Sequence, residues 1–132
     1  MNITADTIVL VRAIVGDDRR QSKIAQAQLA AADLIALPGP VLCELVWVLS
    51  RGYKYPPAQI AQTLRRLSDS ASVAVNRPAV EAGLALLEAG GDFADGVIAF
   101  EGRWLNGEVF VSFDKTAVGL IESGGGKAQL LG

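Results

Sequence analysis

Short apolar runs that alternate with longer segments of helical character constrain this fold more than any other feature of the sequence. The runs are rich in β-branched and aliphatic residues and have the length of strands; they cover residues 3–11, 34–37, 72–75, 108–113 and 128–131. The last of these is alternatively a loose tail. No repeat and no linker divides the 132 residues. Strands that alternate with helices form parallel sheets covered on both faces. The sequence therefore predicts an α/β fold, with helices on both faces of a parallel sheet of four to five strands, in one domain spanning residues 1–132.

Capping and turn residues set the boundaries of the predicted helices. These helices cover about residues 18–32, 41–51, 58–67, 77–89, 92–104 and 116–122. Asp17 or Asp18 caps the first, in which Ile24 and Ala27 recur at helical spacing. The second is hydrophobic nearly all round, which predicts that it lies inside the fold.

The absence of histidine and the single cysteine exclude several kinds of active site. Without histidine the chain cannot build Ser–His–Asp or Cys–His catalytic arrangements. Cys43 alone excludes an internal disulfide and a cysteine-based zinc site, and its apolar neighbours predict a core position. Any reaction must therefore use carboxylates, Lys, Tyr, Thr or Ser, and carboxylates suit a hard metal ion.

Charge and hydropathy restrict the partners and the location. The formal net charge of −2 argues against broad nucleic-acid binding through a basic surface. The longest uncharged apolar run, residues 45–49, is far shorter than the ~20 residues that span a bilayer. The first residues lack the basic region of a signal peptide. We therefore expect a cytoplasmic protein without a membrane partner.

Three carboxylates lie in apolar stretches where an unpaired charge is unfavourable. Asp6 and Asp114 each follow apolar residues of a predicted strand, and both are alternatively explained as turn or helix-capping residues. Glu44 lies in the middle of the apolar helix, where it must find a metal, a proton or a cation. An ion pair with Arg12 or Arg51 is the simpler explanation for Glu44.

Two further carboxylates open the helix at residues 92–104. Asp92 and Asp95 are three residues apart, so they face the same way at the helix N-terminus. For Asp92 the N-cap is the simpler explanation. Asp95 lies one turn further in and shares a face with Ile98 and Ala99, which indicates a functional role. Four like charges in one cleft raise one another's pKa values, and Mg²⁺ or Mn²⁺ removes that repulsion.

The sequence around these acids resembles the PIN-domain family and, within it, the VapC-type ribonuclease toxins of bacterial type II toxin–antitoxin systems. The matching pieces are residues 4–7 (Thr-Ala-Asp-Thr) with residues 9–12, residues 42–49 around Glu44, residues 92–99, and residues 112–115 (Ser-Phe-Asp-Lys). They occur in the family's order and extend over essentially the whole chain.

The resemblance implies an Mg²⁺- or Mn²⁺-dependent endoribonuclease that cleaves structured RNA, including transfer RNA, by metal-activated water. It implies that the catalytic and metal-binding residues are Asp6, Glu44, Asp95 and Asp114, with Asp92 as an auxiliary. Thr7 and Ser112 are further auxiliary candidates, since each hydroxyl is able to bond a ligand oxygen or water. The implied partners are the RNA substrate, a small cognate antitoxin and a second copy of the chain. For the dimer, the helix with Ile60 and Leu64 is either an interface or part of the core.

Ile8 departs from the family pattern, which reads Asp-Thr-Asn where this chain has Asp6-Thr7-Ile8. If the first strand continues regularly, Asp6 and Ile8 share a face, and Ile8 predicts weaker metal binding or slower cleavage. The alternative function is therefore a catalytically weakened PIN-like domain that mainly binds antitoxin or RNA. A phosphotransfer or receiver domain fits less well, because Ile8 occupies the place of a second Asp and no middle strand ends in one.

Overall fold

The structure is a computed structural model that describes all residues, Met1–Gly132. It has the predicted α/β architecture, with seven α-helices and five strands, and every strand pair is parallel. The chain forms two compact units, Met1–Asn76 and Arg77–Gly132. The single-domain organisation stays a prediction.

The first unit contains a three-stranded sheet in the order β1-β2-β3. Its elements are β1 (Asn2–Thr4), α1 (Thr7–Val15), α2 (Arg19–Ala31), β2 (Leu34–Ala36), α3 (Gly39–Trp47), a π-helical turn (Val48–Gly52), α4 (Pro57–Asp69) and β3 (Val73–Ala74). Ile35 of β2 lies opposite Ile3 of β1 and Val73 of β3. The predicted strands at 34–37 and 72–75 are confirmed, and both are shorter than expected.

The prediction of a strand over residues 3–11 is wrong beyond Thr4. Asp6 ends the extended segment and caps α1, and Gly16 ends that helix with a left-handed φ of 72°. Thr7, Leu10 and Val11 are buried, at the i, i+3 and i+4 spacing of one helix face. Burial of this face outweighs the β-propensity of the residues, because β-propensity depends mostly on packing context.

Two helices supply much of the core of the first unit. Leu42, Leu45 and Val46 of α3 are buried, which confirms only in part that this helix is internal, since Trp47 is 63% exposed. Cys43 is half-buried rather than a core residue. In α4, Ile60, Ala61 and Leu64 are buried, so this helix face belongs to the core.

The second unit pairs a helical hairpin with a two-stranded sheet. Its elements are α5 (Arg77–Glu88), α6 (Phe93–Trp104), β4 (Phe110–Ser112), α7 (Lys115–Ser123) and β5 (Ala128–Leu130). Helices α5 and α6 approach closely because Gly96 lies against the backbone of Ala82 and Gly83, where a Cβ would collide. Phe93 fills the space beside Gly83 and is fully buried.

The strands form two parallel sheets rather than the single sheet that the sequence suggested. The number of strands and their parallel pairing agree with the prediction. The alternation of strands with helices along the chain predicts parallel pairing. It does not indicate which strands are hydrogen-bonded neighbours. None of the helices combines the length and the hydropathy that a membrane crossing requires.

Candidate metal centre

Three of the five candidate acids are helix N-caps. The Thr7 N–H donates to Asp6 Oδ1 at 2.7 Å, the Ala94 N–H to Asp92 Oδ1 at 3.1 Å, and the Ala117 N–H to Asp114 Oδ1 at 3.1 Å. The capping explanation therefore holds for all three. Each cap uses only Oδ1, and Oδ2 of each exposed carboxylate makes no hydrogen bond or ion pair. Capping thus fixes the carboxylate and still leaves an oxygen for a ligand.

Asp95 differs from these acids because it caps nothing. It lies in the first turn of α6, is half-buried, and makes no hydrogen bond or ion pair. Burial raises the pKa of its carboxyl, and the charges of Asp92 and Asp114 raise it further. The expected repulsion among clustered carboxylates is therefore present in the second unit. No basic side chain forms an ion pair with Asp95 that would relieve this repulsion.

The chain reversal between α5 and α6 positions Asp92 and Asp95. Gly90 adopts a φ of 96° after α5, and the Gly91 N–H donates to Leu86 O at 2.7 Å. A left-handed residue at this place is typical of a helix end that glycine permits. Asp92 then begins α6, which places Asp95 one turn from the cap.

Ser112 positions Asp114 through the turn that follows β4. Its Oγ accepts a hydrogen bond from the Asp114 N–H at 2.9 Å, and Asp114 then caps α7. The hydroxyl thereby orients the backbone of a candidate ligand residue. Thr7, the other auxiliary candidate, is 2% exposed at the start of α1.

The expectation that Glu44 is a buried carboxylate is wrong. Helix α3 buries Leu42, Leu45 and Val46, and Glu44 is exposed on the opposite side of the helix. Glu44 makes no ion pair with Arg12 or Arg51. Arg12 Nη1 instead lies 3.9 Å from Asp17 Oδ1. The Arg12 Nε–H donates a hydrogen bond to Gln21 Oε1 at 2.6 Å.

The structure does not gather three acidic side chains into a formed metal site. Asp6 and Glu44 belong to the first unit, and Asp92, Asp95 and Asp114 to the second. The chemistry of these donors suits a hard divalent ion, because all are carboxylates and Asp95 lacks any compensating charge. The four-residue metal site stays a prediction.

Ile8 does not lie in a strand, although its predicted effect on metal binding assumed that it does. It is the second residue of α1 and is 47% exposed. Residues 6 and 8 therefore do not alternate along a strand. Weaker metal binding remains a prediction, but it loses this geometric reason.

Sequence reasoning missed the residues that line a groove beside Asp6. Arg20, Gln21 and Ile24 of α2 lie along it. Ile24 recurs at helical spacing in its helix, but Ser22 and Ala25 are the buried residues and Ile24 is 56% exposed. The available signal was the four-residue spacing of Arg20, Ile24 and Gln28, which places them on one face.

The family assignment rests on a match that covers most of the chain. The PIN domain model matches residues 3–118, from β1 into α7. The chain belongs to the PIN domain family. PIN domains are generally nucleases and typically use divalent metal ions, so the acids described above have the donor chemistry that the family requires. No curated protein matches the chain.

Proposed function

We propose that this PIN domain is an Mg²⁺- or Mn²⁺-dependent endoribonuclease, the toxin of a toxin–antitoxin pair, and that it cleaves structured RNA. Asp95 carries the proposal, because it is a half-buried acid with a raised pKa, two acidic neighbours and no structural partner. Such a residue is unfavourable for folding, and perturbed groups of this kind cluster at functional sites. Transfer RNA is the first substrate class to test.

In this proposal Asp6, Glu44, Asp95 and Asp114 hold the metal ion. The capping bonds of Asp6 and Asp114 fix their carboxylates and leave Oδ2 for the ion, and Glu44 is exposed. Asp92 acts as an auxiliary acid beside Asp95, the Thr7 N–H holds the Asp6 carboxylate, and Ser112 Oγ holds the backbone of Asp114. A bound divalent ion supplies charge that polarises the scissile phosphate and lowers the pKa of the attacking water.

The proposed partners follow from the resemblance of the four motifs to VapC-type toxins. They are a small antitoxin that covers the site and a second copy of the chain, in the cytoplasm. The dimer is tested by the mass of the purified protein in light scattering, where a monomer at all concentrations would contradict it.

A binding function without strong catalysis is the second candidate, and Ile8 favours it. Where the family pattern has an amide, this chain exposes an aliphatic side chain two residues from Asp6. An aliphatic group cannot orient a carboxylate or a water by hydrogen bonding. The domain would then bind antitoxin or RNA through an intact fold.

The deciding experiment is cleavage of total transfer RNA by purified protein with Mg²⁺, with Mn²⁺ and with EDTA. Asp95→Asn removes the charge of the central acid, and Glu101→Gln is the matched control, an exposed acid-to-amide change on the same helix. We expect metal-dependent cutting that Asp95→Asn abolishes and Glu101→Gln retains. A folded protein that cuts no RNA with either metal supports the binding function, and Ile8→Asn is then the next variant.

A further inference from the structure

A groove between α1 and α2 begins at Asp6 and lies wholly within the first unit. Its volume is about 430 Å³, within the range of ~300–1,000 Å³ typical of small-molecule sites. Ile8 and Ile24 face into it from the two helices, and 47% and 56% of their surfaces are exposed. Exposed aliphatic pairs lining a concave surface favour a ligand with an apolar face.

The groove also carries one positive charge that no acid compensates. Arg12 Nη1 lies 3.9 Å from Asp17 Oδ1, but Arg20 makes no ion pair. A guanidinium in this position binds phosphate well, because its planar donors match phosphate oxygens. Arg20 and Asp6 line the same groove.

Two amide side chains complete the lining. Gln21 Oε1 accepts the hydrogen bond from Arg12 Nε, so its Nε2 group remains as a donor. Gln28 makes no side-chain hydrogen bond and lies on the same face of α2 as Ile24. The groove therefore offers free polar groups beside an apolar surface.

We propose that the α1–α2 groove is the subsite for a nucleotide adjacent to the scissile phosphate of the RNA. Ile8 and Ile24 contact the base face, Gln21 and Gln28 bond its edge, and Arg20 binds its phosphate. A nucleotide combines a flat ring, a polar edge and an anion, which match these three parts of the lining. This inference rests on the proposed RNA substrate. It makes Ile8 a substrate contact rather than a defect of the metal site.

The test measures RNA affinity separately from cleavage. Protein carrying Asp95→Asn is titrated with Mg²⁺ present into a fluorescein-labelled RNA hairpin with a single-stranded loop, and anisotropy is recorded. Two groove variants, Ile24→Ala and Arg20→Gln, are added to this background. Their matched controls are Leu105→Ala, an exposed aliphatic residue, and Lys23→Gln, an exposed cation of α2 outside the groove. All four changes are at exposed positions, so the fold should survive.

We expect Ile24→Ala to weaken RNA binding about fivefold, because the variant buries less apolar surface against the base. Arg20→Gln should weaken it and lower the slope of log affinity against log salt by about 0.7, the value for one phosphate contact on a single strand. Leu105→Ala and Lys23→Gln should change neither. In protein with Asp95 intact, Ile24→Ala should broaden the base preference beside the cut while metal dependence is retained.

Unchanged affinity and salt slope in both groove variants would overturn the inference, as would the absence of RNA binding by the Asp95→Asn protein. It is also overturned if the groove variants weaken only the binding of a co-purifying antitoxin, since the groove then takes a protein segment. If the groove variants weaken RNA binding but Asp95-intact protein never cuts RNA, the groove remains an RNA site and the proposed nuclease function fails instead.

Discussion

At the scale of single residues, Asp95 is the acid whose presence the fold does not explain. Asp6, Asp92 and Asp114 each cap a helix, whereas Asp95 is half-buried with no hydrogen bond. The N-terminus of α6 favours its negative charge, but burial and two neighbouring carboxylates oppose it. Because the pKa of Asp95 is raised, the unfavourable effects outweigh the favourable one, and the ionised carboxylate destabilises the metal-free protein.

We expect Asp95→Asn to stabilise the metal-free protein at about pH 7 by less than ~1 kcal/mol, since solvent screens a half-exposed group. The pKa of Asp95 is raised on folding, so its contribution to stability is complete below the unfolded pKa and is lost as pH rises through the folded pKa. Asparagine does not ionise and avoids this loss. The gain should therefore vanish near pH 3.

Urea unfolding in EDTA at both pH values measures this difference, with Glu101→Gln as the control on the same helix. A variant less stable than the wild type at neutral pH would show that Asp95 has a structural role after all. Metal-dependent cleavage should instead decrease in Asp95→Asn, because the carboxylate charge that destabilises the metal-free protein is needed to bind the metal ion.

At the scale of secondary-structure elements, the caps allow structural and chemical roles to be separated. Asp114 stabilises α7 through Oδ1, and its backbone is held by Ser112. Asparagine caps a helix about as well as aspartate, whereas alanine does not. Changing the same residue in two ways therefore tests two different functions.

We expect Asp114→Ala to lower the free energy of unfolding by about 1 kcal/mol and Asp114→Asn to leave it nearly unchanged. Both variants should lose metal-dependent cleavage, because both remove the negative charge. Denaturant unfolding and the RNA assay, run on the same preparations, give the two readouts. Full cleavage by the stable Asp114→Asn protein would reduce Asp114 to a capping residue.

The hairpin of α5 and α6, which presents Asp95, depends on a close approach at Gly96. We expect Gly96→Ala to destabilise the protein by about 1–3 kcal/mol, because its Cβ would meet the Ala82 carbonyl and Gly83 Cα. Gly102, on the same helix, has open space around a built Cβ. Gly102→Ala should stabilise by about 0.5–1 kcal/mol. Thermal unfolding checks both, and equal effects of the two changes would show that α5 and α6 have room to separate.

At the scale of the whole molecule, the proposed metal ligands come from distant parts of the sequence. Asp6 and Glu44 come from the first unit, and Asp95 and Asp114 from the second. An ion that binds only the folded chain raises the free energy of unfolding. The increase grows with the logarithm of the ratio of the ion's concentration to its dissociation constant. Metal-linked stability therefore reports on every true ligand, including those without a structural role.

Glu44 provides the cleanest such test because it is exposed and unpaired in the folded chain. We expect Glu44→Gln to leave the melting temperature in EDTA unchanged, since surface changes usually alter stability by less than ~0.5 kcal/mol. It should reduce the rise in melting temperature that Mn²⁺ produces in the wild type. Glu101→Gln, the matched control, should keep the full rise. An undiminished metal response in Glu44→Gln would remove Glu44 from the ligand set.

The sequence by itself determined the features that depend on neighbours along the chain. A cap at Asp17 or Asp18, the end of α5 near residue 89, the position of β2 and the α/β class follow from local capping, turn chemistry and periodicity. The four family motifs likewise identified Asp95 as a candidate before any packing was known.

Only the tertiary structure decided what depends on distant contacts. It made residues 7–15 a helix, because burying Thr7, Leu10 and Val11 on one face outweighed their preference for a strand. It exposed Glu44 and Ile24, whose helices bury other faces, and it divided the strands between two sheets. The spacing of apolar residues indicates which face of a helix is favoured for burial, but whether another element packs against that face depends on residues far away in sequence.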